Sequence, residues 1–189
     1  MRLRVDTPES WIDAVNGDVE RFLQDHASCE KKAVGTALGL ASHYPDRTEL
    51  VGAMIELAQE ELCHYREVFE LLSARGLSMG RDQKDPYIRK FLSAVRNGAE
   101  DYFLDRLLVF GIVEARGCER FRILADGFGD VALQSFYRDL AQAEARHWAL
   151  FVRMAKTYFP REDVDRRLDA LLDIEGEIVS ELPVRCALH

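Results

Sequence analysis

The chain has 189 residues and a formal net charge of -8, with 48% apolar and 10% aromatic side chains. This length and apolar fraction allow one sizeable core, so we predict a single domain over residues 1–189. The acidic balance excludes a chain-wide basic field that would attract DNA or an anionic membrane, and any polyanion has to bind a local basic patch.

The cysteines and the first residues indicate the compartment. The four cysteines are far apart and form no CxxC pair, which argues against a zinc knuckle, a rubredoxin-type iron site and a disulfide scaffold, and fits reduced thiols. The opening MRLRVDTPESWIDAV contains no apolar stretch of signal-peptide type. No uncharged run approaches the roughly 20 residues of a membrane helix. We therefore expect a soluble cytoplasmic protein.

The first half of the chain predicts two long helices. The first covers about Gly17–Ala41, where apolar residues including Leu38 recur at spacings of three and four. The second covers about Thr48–Arg75. Asp46 is a candidate cap at its start, and Gly76 stands in the expected position after its end.

The second half predicts two further long helices after a connection. Residues 76–97 contain a polar turn and a short helix, which we interpret as a crossover. The long helices cover about Ala99–Ala125 and Val131–Phe159, and a last amphipathic segment covers about Arg161–Leu182. The predicted fold is all-α: a four-helix bundle with a long crossover between helices two and three and extra short helices.

Charged residues interrupt the apolar stripe of each long helix. A glutamate on one helix is followed by an ExxH pair on the next, and this arrangement occurs twice at similar intervals. Residues 30 and 61 are 31 positions apart, and residues 114 and 144 are 30 positions apart. The six inward-facing residues are Glu30, Glu61, His64, Glu114, Glu144 and His147.

This spacing is the one that a two-metal site in a helical bundle requires. Residues i and i+3 of a helix lie on one face, so a carboxylate and an imidazole can bind the same ion or adjacent ions. Two ExxH pairs and two further glutamates give six ligands, which is the ferritin-like di-iron pattern. Two divalent cations would also balance four buried carboxylates. Oxygen-rich ligation with one imidazole per metal suits iron or manganese.

Other interpretations remain open at this stage. A single ExxH is usually two solvated side chains, and the bland alternative is a helical interaction module with paired acids. A two-metal bundle could oxidise a substrate, destroy peroxide, or oxidise and store iron. His26 lies one turn before Glu30 and could orient a ligand or only hydrogen-bond in the core. The acids of the second helix that fall off its stripe are predicted to be solvated: Glu56, Glu60, Glu67 and Glu70.

Longer stretches carry a family resemblance. LASHYPDRTELVGAMIELAQEELCHYREVFELLSARG, FLDRLLVFGIVEARGCERF, EARHWALFVRMAKTYFP and the end LPVRCALH resemble the tRNA hydroxylases that act on 2-methylthio-N6-isopentenyladenosine, which belong to the ferritin-like di-iron superfamily. The resemblance covers nearly the whole chain.

The resemblance implies a function and a role for each ligand. The enzyme would be an O2-dependent di-iron monooxygenase that hydroxylates the isopentenyl group of the modified adenosine beside the anticodon of tRNA. Glu61 and Glu144 would bridge the two iron ions, and the remaining four ligands would complete the coordination. Two electrons per turnover would come from a separate reductase, because the chain has no flavin or nicotinamide fingerprint.

Binding of tRNA requires a local basic patch on this acidic chain. Two groups of residues are candidates, and the alternative for either group is a solvated face. The crossover group is Arg81, Lys84, Arg89, Lys90 and Arg96, and the later group is Arg153, Lys156, Arg161, Arg166 and Arg167.

Overall fold

The computed structural model describes residues 2–189, which form seven α-helices and no β-strand. The helices are α1 (Ser10–Gly17), α2 (Val19–His43), α3 (Thr48–Ala74), α4 (Pro86–Leu92), α5 (Ala99–Gly127), α6 (Val131–Tyr158) and α7 (Arg161–Glu181). The all-α prediction is confirmed. Within residues 2–189, none of these helices is both long and apolar enough to cross a bilayer.

The described chain divides into two compact units. One contains the segment through Asp13, Lys84–Arg185 and His189, and therefore holds α4 to α7. The other contains Ala14–Gln83 and Cys186–Leu188, and therefore holds α2 and α3. The single domain over residues 1–189 stays a prediction.

The first long helix begins later than predicted. Asp18 caps α2, since its side chain accepts a hydrogen bond of 3.1 Å from the backbone N–H of Arg21. Gly17 instead ends the short helix α1, which the sequence pattern did not reveal. Helix α1 has only eight residues, and its buried side chains Trp11 and Val15 give a single i, i+4 pair, too few for a periodicity.

The start of α3 also differs from the prediction. Its N-cap is Arg47, which makes no side-chain cap hydrogen bond, so the expectation that Asp46 caps this helix was wrong. A side chain reaches the free N–H groups of the first helical turn from the N-cap position. Asp46 lies one residue before that position.

The end of α3 is as predicted. Gly76 has a φ of +69°, and its N–H donates to the carbonyl oxygen of Ser73. The N–H of Leu77 donates to the carbonyl oxygen of Leu72 at 3.0 Å. These two hydrogen bonds and the left-handed glycine form a Schellman motif.

Two glycines of the α3 region should respond to alanine in opposite directions. Gly76→Ala is expected to lower the free energy of unfolding by about 1 kcal/mol, because an L side chain is strained at positive φ. Gly52→Ala is the control: Gly52 lies inside α3 with open space at its Cβ position, and alanine should raise stability by about 0.5–1 kcal/mol. Urea unfolding measures both free energies of unfolding. Changes in the same direction for the two variants would contradict this explanation.

Half of the predicted α2 stripe is buried. Leu23, Ala27 and Ala37 are buried, Val34 and Ala41 are half-buried, and Leu38 is 48% exposed. Successive helical residues are turned by about 100°, so Leu38 lies well away from the direction of Ala37. The inclusion of Leu38 in the buried face was therefore wrong.

The other unit is built on the hairpin of α5 and α6. Asp130 caps α6, since its carboxylate accepts hydrogen bonds from the backbone N–H groups of Ala132 and Leu133. Helix α7 packs against α4, α5 and α6. The predicted short helix of the crossover is α4, which Asp85 caps and Pro86 begins.

A buried ionic network ties α5 to α7 in this unit. Arg116 and Glu175 are both 0% exposed and form a bidentate pair with N–O distances of 2.9 and 3.0 Å. Arg116 also donates to Glu119 at 2.6 Å, and the hydroxyl of Tyr87 donates to Glu175 at 3.1 Å. Each charge is thus hydrogen-bonded, which is the condition for tolerating buried ions.

Candidate functional site

The first group of candidate ligands lies in the unit of α2 and α3. Glu30 comes from α2, and Glu61 and His64 come from α3; one ligand atom of each lies within 4.8 Å of the others. Nδ1 of His64 is 3.3 Å from Oε2 of Glu61 and 3.8 Å from Oε2 of Glu30. Both glutamates are buried and His64 is half-buried. We call these three residues the α2–α3 cluster.

His26 contacts the α2–α3 cluster through Glu30. It is fully buried on α2, and its Nε2 lies 2.6 Å from Oε1 of Glu30. Burial, and to a smaller extent the neighbouring His64, lower the pKa of His26 to about 3. The ring is therefore neutral at physiological pH, and it can donate to the carboxylate only with its proton on Nε2. The core hydrogen bond predicted for His26 is therefore confirmed, and its partner is the candidate ligand Glu30.

The second group lies in the unit of α5 and α6. Glu114 comes from α5, and Glu144 and His147 come from α6; one ligand atom of each lies within 4.8 Å of the others. Nδ1 of His147 is 3.4 Å from Oε2 of Glu144. Glu144 and His147 are buried and Glu114 is half-buried. We call these three residues the α5–α6 cluster.

Two glycines on α5 allow α6 to approach Glu114 closely. Gly111 and Gly117 precede and follow Glu114 by three residues. A Cβ atom at Gly111 would lie 3.1 Å from Cβ of Phe151, and one at Gly117 would lie 3.9 Å from Cγ of Glu144. The motif GxxExxG therefore brings the backbone of α5 close to the α6 side chains beside the cluster. The sequence analysis missed this motif, although its spacing is visible in the chain.

The α5–α6 cluster has the chemistry of a metal site. Oε2 of Glu144 is buried and accepts no hydrogen bond from residues 2–189. Within that range, His147 alone lies within ion-pair distance of Glu144. A buried carboxylate oxygen that accepts no hydrogen bond is costly, and a cation bound there would remove the cost. Each cluster offers two carboxylates and one imidazole, which is half of the ligand set of a di-iron carboxylate protein.

The acids of α3 outside its buried stripe are exposed, whereas most of the basic candidates for tRNA binding form ion pairs. The four acids of α3 that were predicted to be solvated, Glu56, Glu60, Glu67 and Glu70, are exposed, so that prediction is confirmed. Most of the basic candidates for tRNA binding instead pair with acids. The pairs are Lys90–Glu181, Arg96–Asp105, Lys156–Asp165, Arg161–Asp165, Arg166–Asp163 and Arg167–Asp105. Arg81, Lys84, Arg89 and Arg153 are exposed.

The chain matches known proteins over its whole length. A family model described as tRNA-(MS[2]IO[6]A)-hydroxylase (MiaE) matches residues 1–189. A relative from Pseudomonas putida, named tRNA 2-(methylsulfanyl)-N(6)-isopentenyladenosine(37) hydroxylase, is 35% identical over 183 residues, covering 97% of this chain and 89% of the relative. A protein of the same name from Salmonella typhimurium is 26% identical over 226 residues, covering 94% of this chain and 83% of the relative.

A solved structure shares the fold. Protein 43 with aldehyde deformylating oxygenase activity from Synechococcus has a TM-score of 0.93 and 34% sequence identity, over 98% of this chain and 93% of that chain. The predicted ferritin-like fold class is confirmed by this likeness.

Proposed function

Because the chain belongs to the tRNA-(MS[2]IO[6]A)-hydroxylase family, we propose that it hydroxylates the isopentenyl group of 2-methylthio-N6-isopentenyladenosine beside the anticodon of tRNA. The full-length family match carries this proposal. The two Glu plus ExxH clusters support it, since they supply ligands for the metal chemistry that hydroxylation of an allylic C–H bond by O2 requires.

The metal ligands are part of the proposal. The six residues of the two clusters would hold a pair of iron ions, with Glu61 and Glu144 in the bridging roles that the family resemblance implies. Glu30 and His64 would complete one side, and Glu114 and His147 the other. In support, each cluster has the donor set of half a di-iron site, and burial of the carboxylates favours their neutralisation by cations.

The reaction requires dioxygen and two electrons. A pair of iron ions bound by carboxylates and imidazoles supplies the chemistry that activates dioxygen. The C–H bond of the substrate, O2, two electrons and two protons yield the C–OH group and one water. The electrons come from an external reductase in this proposal, and the compartment is the cytoplasm, where tRNA is modified.

The side chains of the protein position the ligands and limit water. His26 holds Glu30 through the 2.6 Å hydrogen bond and so restricts its rotamers. Phe110 and Phe151 pack on each other beside the α5–α6 cluster, with ring centroids 6.2 Å apart. Both rings are nearly fully buried, so they keep the cluster in an apolar environment that strengthens ion–ligand interactions.

Loss of the His26 hydrogen bond should weaken iron binding without removing it. His26→Leu leaves Glu30 without its buried donor, and we expect the iron affinity to fall about 10-fold to 100-fold. Titration of the metal-free protein with ferrous iron measures this change. His43→Leu is the control, because His43 is an exposed residue at the end of the same helix. Equal iron affinity of His26→Leu and wild type would contradict the positioning role.

The decisive experiment supplies iron-loaded protein with tRNA that carries the modified adenosine, with dioxygen and a chemical or enzymatic reductant. Digested nucleosides are then analysed by mass spectrometry. The expected result is one added oxygen atom on the modified nucleoside, derived from 18O2 when that isotope is supplied. Unmodified tRNA is the substrate control. Absence of oxygenated nucleoside from a protein that has bound iron would refute the substrate.

The likeness to the Synechococcus oxygenase favours one second candidate, an aldehyde substrate. The same iron-loaded protein is therefore incubated with a long-chain aldehyde and reductant, and the shortened hydrocarbon is measured.

Iron storage is the alternative that the ligand pattern leaves open. It predicts a large closed assembly, and gel filtration of the 21.6 kDa chain tests it.

A further inference from the structure

Arg106 is an unusual cation in the unit of α5 and α6. Its guanidinium lies 5.4 Å from the ring centroid of Tyr102 and 4.8 Å from that of Phe110. Nη1 of Arg106 donates a hydrogen bond of 2.6 Å to the hydroxyl of Tyr102. The two rings and this hydrogen bond fix the plane of the guanidinium, so little side-chain entropy remains to be lost when a ligand binds.

Arg106 has donors left over. Its Nε is buried and donates to no acceptor within residues 2–189, and no carboxylate of that range lies within ion-pair distance of the side chain. Other arginines of the same unit that are held in place, Arg96, Arg116 and Arg167, pair with acids. Arg106 is half-buried, so part of its side chain stays within reach of a ligand from solvent. An arginine that is fixed in position and lacks an anionic partner can bind an anionic ligand through charge-assisted hydrogen bonds.

The position of Arg106 relates it to the candidate metal ligands. Tyr102, Arg106, Phe110 and Glu114 follow one another at intervals of four residues and form one ridge of α5. Arg106 and Glu114 are eight residues apart, which is about 12 Å along the helix axis. Arg106 thus precedes Glu114 on α5, and its guanidinium lies between the rings of Tyr102, one turn before it, and Phe110, one turn after it.

These observations fit the shape of the proposed substrate. In a nucleotide, the N6 substituent of adenine and the phosphate lie at opposite ends, separated by the purine and the ribose. A nucleotide whose isopentenyl group lies beside Glu114 therefore has its phosphate a nucleoside's length away, which matches the direction and distance of Arg106. Phosphate is also the group that a planar guanidinium with free donors recognises through paired hydrogen bonds.

We propose that Arg106, held between Tyr102 and Phe110, binds a phosphate of the tRNA backbone next to the modified adenosine. This proposal rests on the proposed function, and it assigns a substrate-positioning residue outside both basic groups that the sequence suggested. The exposed Arg122 offers a matched control, since it lies on the same helix eight residues beyond Glu114 in the opposite direction.

The test compares iron-loaded wild type with Arg106→Gln, Arg106→Lys and Arg122→Gln. The dissociation constant for modified tRNA is measured without dioxygen over a range of KCl concentrations. Arg106→Gln is expected to raise Kd about 10-fold. It should also flatten the slope of log Kd against log salt by about 0.7, the value for one phosphate contact on a single strand. Arg106→Lys keeps the charge and should keep most of the slope, and Arg122→Gln should match wild type.

The salt slope separates phosphate binding from a structural role. An Arg106→Gln protein with the wild-type slope overturns the proposal, whether its Kd rises or not, because a packing defect does not change the number of ions released. Circular dichroism checks that each variant keeps its helices. A wild-type protein that neither binds nor oxygenates modified tRNA refutes the proposed function, and the role of Arg106 with it. Normal oxygenation by wild type with no effect of Arg106→Gln refutes the Arg106 proposal alone.

Discussion

Glu144→Gln is expected to abolish stable iron binding and to lower tRNA hydroxylation by at least about 100-fold. In the proposed function, Glu144 is one of the carboxylates that would hold the iron ions, through its charge and its oxygen atoms. Glutamine keeps the volume but removes the charge and one of the two oxygen ligands. The measurement is the iron content after loading and desalting, where wild type should hold about two ions per chain, together with the yield of oxygenated nucleoside.

The metal-free form of the same variant should be as stable as wild type or more stable. Glu144 is a buried carboxylate with one oxygen that accepts no hydrogen bond within residues 2–189, and a neutral amide costs less to bury than a charge. Iron should therefore raise the melting temperature of wild type but not that of Glu144→Gln. Asp139→Asn on the exposed face of α6 is the control and should behave as wild type. Full iron loading of Glu144→Gln would remove Glu144 from the ligand set.

Arg116→Met is expected to lower the free energy of unfolding by about 3–5 kcal/mol. The change leaves Glu175 charged and fully buried, with the hydrogen bond from the Tyr87 hydroxyl retained. It also removes the donor that Arg116 provides to the carbonyl oxygen of Val5 at 2.8 Å. Urea unfolding followed by circular dichroism measures the loss.

A second substitution tests the physical reason for this loss. Arg116→Met combined with Glu175→Leu removes both charges, and it should recover much of the stability because no unpaired ion remains buried. The comparison is the exposed pair of Lys90 and Glu181, 2.7 Å apart. Lys90→Met should cost less than about 1 kcal/mol, as solvent screens such pairs. A double variant as unstable as Arg116→Met would show that packing, and not charge, sets the cost.

Helices were predictable where local rules act alone. The apolar periodicity of α2, α3, α5 and α6 spans more than 24 residues in each case, and the Gly76 signal is a local property of the backbone. The wrong predictions concern a helix whose apolar pattern is short and a helix start where neighbouring residues could each be the cap. Helix α1 is too brief to show a period, and Asp46 is a good capping residue placed one position before the actual cap.

The candidate ligands were also visible in the sequence, because a charged side chain at a buried position of an amphipathic helix breaks a regular pattern. Glu30 and Glu61 fall on the same stripes as Leu23 and Leu57, and all four are buried. The glycine spacing around Glu114 was equally visible but was not used. Its meaning depends on how close α6 comes to α5, and a sequence pattern does not contain that distance.

The basic residues mark the limit of the sequence. Lys90, Arg96 and Arg167 look like a nucleic-acid surface when counted along the chain, yet each has an acidic partner, at separations of 91, 9 and 62 residues in sequence. Arg106 was overlooked because a single arginine among apolar residues resembles an ordinary half-buried side chain.

By itself, the sequence determined the all-α fold, the long helices, the family and the two Glu plus ExxH motifs, because all of these follow from intervals along one chain. Only the tertiary structure decided which charges are neutralised and which remain available. It paired Arg116 with Glu175 and Arg167 with Asp105, which are 59 and 62 residues apart in sequence, and among residues 2–189 it left Arg106 without an acid. The reason is that an electrostatic interaction depends on distance and burial in space, and neither quantity is a function of separation in sequence.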